Sequence, residues 1–459
     1  MEPDKPILHV FEECGKYYCY DPYPNKIFSI SRDHYNEIKK LLSLGKRNYI
    51  ASLSDIAWES TARDILFFLN SEKYFSGKLF ETSEYPDSEL IPGLYDKSIN
   101  DLALQITKNC NFSCRYCQYA NDNGITRTHE NAIMNEKTAK ASVDYLMSHS
   151  SDANKVNIAF CGGEPLLNFG LIEIVLRYVD AKYPYKMVTY NLTSNASLLN
   201  KEHINLFKKY NLKLMISMDG PESVQNYNRK FRADGEGTYS IVFDKVKQLM
   251  KTQKKYFDKN VSFNAVYLNS AQKRDAELFF NELGIIDKVR LVEADLKGID
   301  YIAPNNKFIS KTEITDNNEI SPDSWYMVRE PQMRNDGAIP SIWHHGGPCI
   351  PGIRRLFVDT EGIFYPCEKL TEISGLSIGS LTRGIDTDLV LRLMNIGNLT
   401  HDKCRSCFAF RFCSICCSHC FDPEKNCLSS EAKAAECDNQ KKIADAFLHK
   451  FVHKIGISA

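Results

Sequence analysis

Long apolar runs are missing from this sequence. No stretch of about 18 hydrophobic residues occurs, which argues against a membrane-spanning helix. An excess of either charge is missing too: 57 basic and 58 acidic residues leave a net charge of -1. No strong field therefore exists to attract nucleic acid or an anionic lipid surface. The opening residues, MEPDKPILHVFEECGKYY, lack the basic stretch and long apolar core of a secretory signal. Repeats and low-complexity tracts are absent as well. Hydrophobic residues at 43% and charged residues at 25% suit a globular chain with sizeable cores, and 459 residues allow about three domains. A cytoplasmic location, with neither membrane nor nucleic acid as a partner, is the expectation.

Cysteine, by contrast, is abundant. There are 16, and ten of them fall between Cys349 and Cys437. In a reducing compartment thiols seldom pair as disulfides, so clustered spacings point first to metal or cofactor ligation.

Three zones follow one another along the chain. Residues 6–31 hold short β-rich runs, ILHVFEE, KYYCYD and KIFSIS, separated by Cys14-Gly15 and by Pro22-Tyr23-Pro24-Asn25, which predicts a hairpin or three-stranded meander. Helical patterns follow at about 32–44 and 58–71, the second with Ile65, Leu66 and Leu69 at core-facing spacing. The segment 83–93, SEYPDSELIPG, has the composition of a linker. From residue 101, strand-like runs at 102–107, 155–160, 185–192, 212–217, 261–268 and 288–294 alternate with amphipathic helices. Six such alternations predict an α/β fold, either a parallel sheet or an incomplete barrel with its chemistry at the C-terminal strand ends. Residues 300–345 are irregular, and a helix is expected at about 438–454.

The first chemical motif stands directly behind the first of these strands. Cys110, Cys114 and Cys117 form C-x3-C-x2-C. Three thiolates on a tight loop can hold three irons of a [4Fe–4S] cluster and leave the fourth open. A structural zinc loop is the alternative, although zinc prefers four ligands in C-x2-C pairs. Further strands run into Cys161-Gly162-Gly163-Glu164-Pro165, Thr193-Ser194-Asn195 and Ser217-Met218-Asp219-Gly220-Pro221, with Arg229 beyond. In this order the motifs resemble the radical S-adenosylmethionine (SAM) superfamily. The resemblance implies a partial (β/α)6 TIM-like barrel over residues 96–300. It implies that Glu164 accepts from the methionyl ammonium and that Ser217 and Arg229 bind the methionyl carboxylate. Tyr116 matches the aromatic position near the adenine, Ser194 and Asn195 match the family's TNG motif, and Gly162 and Gly163 would let backbone approach the cofactor. Where many relatives carry His-Asp before the arginine, this chain has Gln225-Asn226. The implied chemistry is one-electron cleavage of the sulfonium to a 5′-deoxyadenosyl radical, which then abstracts hydrogen. No acid–base pair is needed for that step, and none is evident.

The second constellation is Cys349, then Gly362 and Cys367, then Cys404-x2-Cys407-x5-Cys413-x3-Cys417, a gap, and Cys437. It resembles the SPASM extension of peptide-modifying radical enzymes. The resemblance assigns Cys349, Cys367 and Cys417 to one auxiliary [4Fe–4S] cluster, and Cys404, Cys407, Cys413 and Cys437 to another. The first set is one ligand short, which leaves an open iron or a further ligand among Cys416, Cys420, Cys427, His344 and His345. An open iron suits a substrate thiolate.

Residues 1–95 resemble the winged-helix-like leader-peptide recognition element of maturases, with the run KIFSIS and the helix from Trp58 to Leu69 as groove walls. Residues 301–345 connect the barrel to a SPASM domain at 346–459. The implied function is modification of a ribosomally made, cysteine-containing precursor peptide, with thioether formation favoured and a flavodoxin or ferredoxin as electron donor. Alternatives are carbon–carbon crosslinking or cysteine or serine oxidation by the same machinery, and a non-enzymatic zinc-binding peptide carrier. Removal of residues 1–95 is expected to spare cofactor cleavage and abolish peptide modification.

Overall fold

The computed structural model describes residues 4–53, 60–86, 88–117, 130–294, 301–302, 308–309, 339–345, 350–353, 355–368, 374–422 and 424–457. Cys349 and Trp58 lie outside the described residues. The chain forms two compact units: Met1–Glu89, Ile320–Cys349 and Leu391–Ala459 make the first, Leu90–Glu319 and Ile350–Val390 the second.

The first unit opens with the meander β1 (His9–Glu13), β2 (Lys16–Asp21) and β3 (Lys26–Ile30), ordered β1-β2-β3 and antiparallel throughout. Cys14 and Gly15, both at positive φ, make the two-residue turn between β1 and β2. Helix α1 (Arg32–Leu44) begins behind Ser31, whose side chain accepts from the His34 backbone N–H. A helix that the pattern did not reveal, α2 (Lys46–Ser52), follows Gly45, and α3 (Ser60–Leu69) completes the module. Ile65 and Leu69 are buried with Leu8, Cys19, Ile38, Leu41, Tyr49 and Phe75, and Leu66 packs against them. A second core of the same unit joins the meander to the C-terminal helix Ser430–Ile457: Phe11 and Tyr20 pack with Phe412, Ala444, Phe447, Leu448 and Val452. This helix starts about eight residues before the expected position, because Ser429 caps it at a point where the apolar spacing is still weak. The stretch read as a linker carries a 3-10 turn, Ser88–Leu90, and the short helix α4 (Ile91–Tyr95), whose Ile91 and Tyr95 are buried.

The second unit is built on β4 (Asp101–Thr107). A short pair, β5 (Phe112–Cys114) with β9 (Arg229–Phe231), and the strands β6 (Lys155–Gly162), β7 (Met187–Ser194), β8 (Lys213–Ser217), β10 (Val261–Tyr267) and β11 (Val289–Glu293) follow. The order β4-β6-β7-β8-β10-β11 is parallel at every pairing. Each strand lies beside its predecessor without reversal, which is the winding of a β/α barrel and not of a doubly wound sheet. All six expected strands are present. The crossovers are α5 (Glu136–Ser148), α6 (Phe169–Lys182), α7 (Lys201–Lys209), α8 (Glu222–Asn228), α9 (Tyr239–Thr252), α10 (Lys254–Asn260) and α11 (Ser270–Glu282). Asn135, Asn200 and Asn269 cap α5, α7 and α11 with their side chains. Beyond a two-stranded pair, β12 (Tyr301–Ile302) with β13 (Phe308–Ile309), the chain returns to the sheet. There β14 (Leu356–Val358) runs parallel to β4, and the antiparallel β15 (Ile363–Tyr365), β16 (Gly379–Ser380) and β17 (Gly384–Ile385) extend that edge. Among the described residues, no helix is long and apolar enough to cross a membrane.

Candidate radical site

Each chemical motif sits where a parallel strand ends. Behind β4, Cys110 is buried and Cys114 and Cys117 are half-buried on a loop tightened by the Cys117 N–H donating to the Cys114 carbonyl at 3.1 Å. The Phe112 N–H donates to Cys110 Sγ at 3.4 Å. Burial pushes the Cys110 thiol up to about 12. Burial also raises Cys114, against the pull of the Arg229 cation, whose Nη1 lies 3.9 Å from Cys114 Sγ.

The glycines behind β6 do something the sequence did not reveal. Gly162 has a φ of +149°, and a Cβ on it would overlap the Thr107 carbonyl; a Cβ on Gly163 would overlap the Asn109 carbonyl. The Gly163 and Glu164 N–H groups donate to Thr107 O at 3.0 Å and Asn109 O at 2.9 Å. The expected closeness to a cofactor is thus, within the chain itself, closeness to the backbone that leads into Cys110. Cys161 packs inward and donates to Leu104 O at 3.3 Å.

Glu164 is fully enclosed. Its Oε1 accepts from Ser194 Oγ at 2.7 Å and from the Leu166 N–H at 3.0 Å, and its Oε2 accepts from the Asn195 N–H at 2.7 Å. Burial raises its pKa, and these donors hold it back. In the turn after β7, Ala196 takes the left-handed φ of +62° that glycine favours. Asn195 Nδ2 donates to Asn111 Oδ1 at 2.9 Å, which ties this turn to the cysteine loop.

Ser217 ends β8, half-buried. Beyond it lies the residue that motif reading left without a role. Asp219 is fully buried and accepts from Arg229 Nε and Nη2, both at 3.0 Å. It also accepts from Tyr116 Oη at 2.6 Å and from the Val266 N–H at 2.9 Å. The Arg229 guanidinium lies 5.2 Å from the Tyr116 ring centroid. Arg229 therefore spends two donors on a carboxylate of its own chain and directs the remaining nitrogen at Cys114. The Gln225 that replaces a family histidine accepts from the Asp219 N–H at 2.8 Å and donates to Thr238 Oγ1 at 3.0 Å. It is a packing element.

In the first unit, Cys404, Cys407, Cys413 and Cys437 line one cavity of about 380 Å³. Lys433, fully buried, donates from Nζ to Cys404 Sγ at 3.3 Å and to Ile396 O at 2.9 Å. His345 lines the same cavity, and among the described residues neither ring nitrogen has a hydrogen-bond partner. His344 accepts the Gly397 N–H on Nε2 at 2.9 Å, so that nitrogen is already engaged. Cys417 belongs to the first unit and Cys367 to the second.

Residues 104–281 match the Radical SAM superfamily. The matched stretch runs from β4 into α11 and is similar to that superfamily. An uncharacterized protein of Methanocaldococcus jannaschii is 40% identical over 121 residues, 26% of this chain; the match spans only 39% of that relative's length. The radical SAM cyclopropyl synthase TigE of Paramaledivibacter caminithermalis is 23% identical over 343 residues, 70% of this chain and 68% of TigE. The solved structure of anSMEcpe with bound AdoMet matches with a TM-score of 0.55 at 19% identity, covering 78% of this chain and 98% of that one. A second structure of anSMEcpe holds AdoMet and the Cp18Cys peptide, with a TM-score of 0.53 at 18% identity over 78% of this chain and 99% of that one.

Proposed function

We propose that this protein is a radical SAM enzyme that modifies a ribosomally made, cysteine-containing precursor peptide, with thioether crosslinks as the product. The observation that carries the reading is the row of strand ends: three cysteines after β4, Glu164 after β6, Ser194 and Asn195 after β7, Ser217 and Asp219 after β8. One buried and two half-buried thiols, with an arginine nitrogen aimed at one of them, fit a [4Fe–4S] cluster, since thiolate charge needs compensation where water is partly excluded. With SAM bound, that group supplies one electron and a carbon-centred radical able to take hydrogen from an unactivated C–H bond. The chain's own part is placement. Glu164 offers a buried carboxylate to an ammonium, Asp219 holds Arg229 in position, and Gly163 sets the cysteine loop against β6.

Auxiliary clusters extend the reading. Four cysteines around one cavity, with an orphaned buried imidazole and a buried lysine beside them, match the donor set of a second cubane. The other set, Cys349, Cys367 and Cys417, rests on the sequence pattern. Thioether formation follows from that set being one ligand short, which leaves an iron for a substrate thiolate.

Residues 1–95 would bind the leader, 96–300 carry the radical core, 301–345 connect, and 346–459 hold the auxiliary clusters, with a flavodoxin or ferredoxin as donor. Phe67 stands exposed on α3, on the proposed leader groove. Phe67→Asp should weaken binding of a synthetic leader about tenfold without changing the melting temperature; unchanged anisotropy titrations would remove the groove. The similarity to a cyclopropyl synthase favours carbon–carbon bond formation as the second reading. Mass spectrometry of the precursor after anaerobic turnover separates the two. A thioether removes two hydrogens and one alkylatable thiol per bond, whereas a carbon–carbon bond leaves every thiol open to alkylation.

A further inference from the structure

Within the first unit, a cluster of metal-ligating side chains stands apart from every cysteine considered so far. Glu13 and Cys14 lie at the tip of the β1–β2 hairpin, and His453 lies on the helix Ser430–Ile457. Cys14 Sγ is 3.5 Å from Glu13 Oε1 and 3.7 Å from His453 Nδ1, and His453 Nδ1 is 3.5 Å from Glu13 Oε1. Ligands at about 2.0–2.3 Å from a tetrahedral zinc ion stand about 3.3–3.8 Å from one another, as these three atoms do.

The surroundings supply what such a site requires. His449 Nδ1 donates to the other carboxylate oxygen, Glu13 Oε2, at 2.6 Å, and its Nε2 lies 3.7 Å from Asp445. Ligating carboxylates are commonly oriented by an outer hydrogen bond of this kind. The two histidines are four residues apart and so share one helix face. Beneath the cluster, Phe11 packs on His449 with ring centroids 4.8 Å apart and shares a core with Phe447, Leu448 and Val452. That core fixes the hairpin opposite the helix before any ion arrives. Cys14 holds a φ of +50°, in a turn position where asparagine or glycine is the usual occupant.

We propose that Glu13, Cys14 and His453 bind one zinc ion, with His449 orienting the carboxylate and water as the fourth ligand. The thiolate, imidazole and carboxylate set suits zinc among borderline divalent ions. The ion clamps the β1–β2 turn to the C-terminal helix. This site is independent of the radical chemistry.

The test uses the full chain with its iron–sulfur clusters reconstituted anaerobically, so that cluster cysteines do not capture the probe. Protein treated with one equivalent of zinc chloride is desalted, and zinc and iron are measured together with X-ray absorption at the zinc edge. The expected result is about one zinc per chain in a shell of one sulfur and three nitrogen or oxygen atoms. Cys14→Ser and His453→Gln, both at exposed positions, should each lose at least about tenfold in zinc affinity at unchanged iron content. Failure of the wild type to retain zinc, retention by both variants at wild-type level, or an all-sulfur shell would each overturn the proposal.

Discussion

Arg229 shows how a single side chain acquires a role that its position in a motif does not reveal. The resemblance assigns it to the methionyl carboxylate of the cofactor, yet its Nε and Nη2 are committed to Asp219 inside the barrel. A buried charge pair is costly to break from one side, because the survivor keeps its desolvation penalty without its partner. Arg229→Ala should therefore cost about 3–5 kcal/mol in chemical denaturation. The double variant Asp219→Ala/Arg229→Ala should lose less than the sum of the single ones. Strict additivity would show that the pair is not coupled. Asp219 was within reach of sequence reasoning, since it stands two residues after Ser217 in the quoted motif. What no pattern indicated was the convergence on it of Tyr116, Arg229 and the Val266 N–H from three separate segments.

At the scale of elements, the cysteine loop depends on its neighbour. Gly163 lies so close to Asn109 that any side chain would displace the backbone leading into Cys110. Gly163→Ala should strip the first cluster, about four irons per chain, and leave the auxiliary iron in place; iron analysis with unchanged content would refute this. The N-terminal meander holds its own titratable element. Asp21, at the end of β2, is fully buried and accepts N–H bonds from Tyr23 at 3.1 Å and Phe75 at 2.7 Å. Burial outweighs those bonds and raises its pKa from 3.8 to about 6. An acid whose pKa is higher folded than unfolded stabilises the fold when protonated, fully below pH 3.8, and that contribution is lost as pH rises through about 6. At 1.36 kcal/mol per unit, the loss is about 3 kcal/mol. Asp21→Asn should flatten this part of the pH profile in denaturation between about pH 4 and 6.5. An unaltered slope would place the titration elsewhere.

For the whole molecule, the decisive test of the radical reading is Cys114→Ala. It should abolish 5′-deoxyadenosine formation while the auxiliary clusters persist in the electron-resonance spectrum, and retained cleavage would refute the assignment. Truncation is a poorer instrument than the sequence suggests. Residues 1–95 were expected to be removable, but Phe11 and Tyr20 complete the core that Phe412, Phe447 and Leu448 also fill. Deleting them would open the C-terminal segment and expose the cavity lined by four cysteines, so point substitutions such as Phe67→Asp are the better probe of leader binding.

Sequence alone determined the six parallel strands, the meander and the cysteine spacings, because side-chain alternation and ligand spacing are local properties that a short window already holds. The resemblance also groups Cys404, Cys407, Cys413 and Cys437, and these four line one cavity. Tertiary structure alone decided the rest. That Lys433 and His345 border those four thiols, that Tyr116 and Val266 meet on Asp219, and that Cys14 meets His453 all join residues from distant segments. Such meetings depend on how helices and sheets pack, and packing depends on the summed burial of many side chains, which no local pattern records.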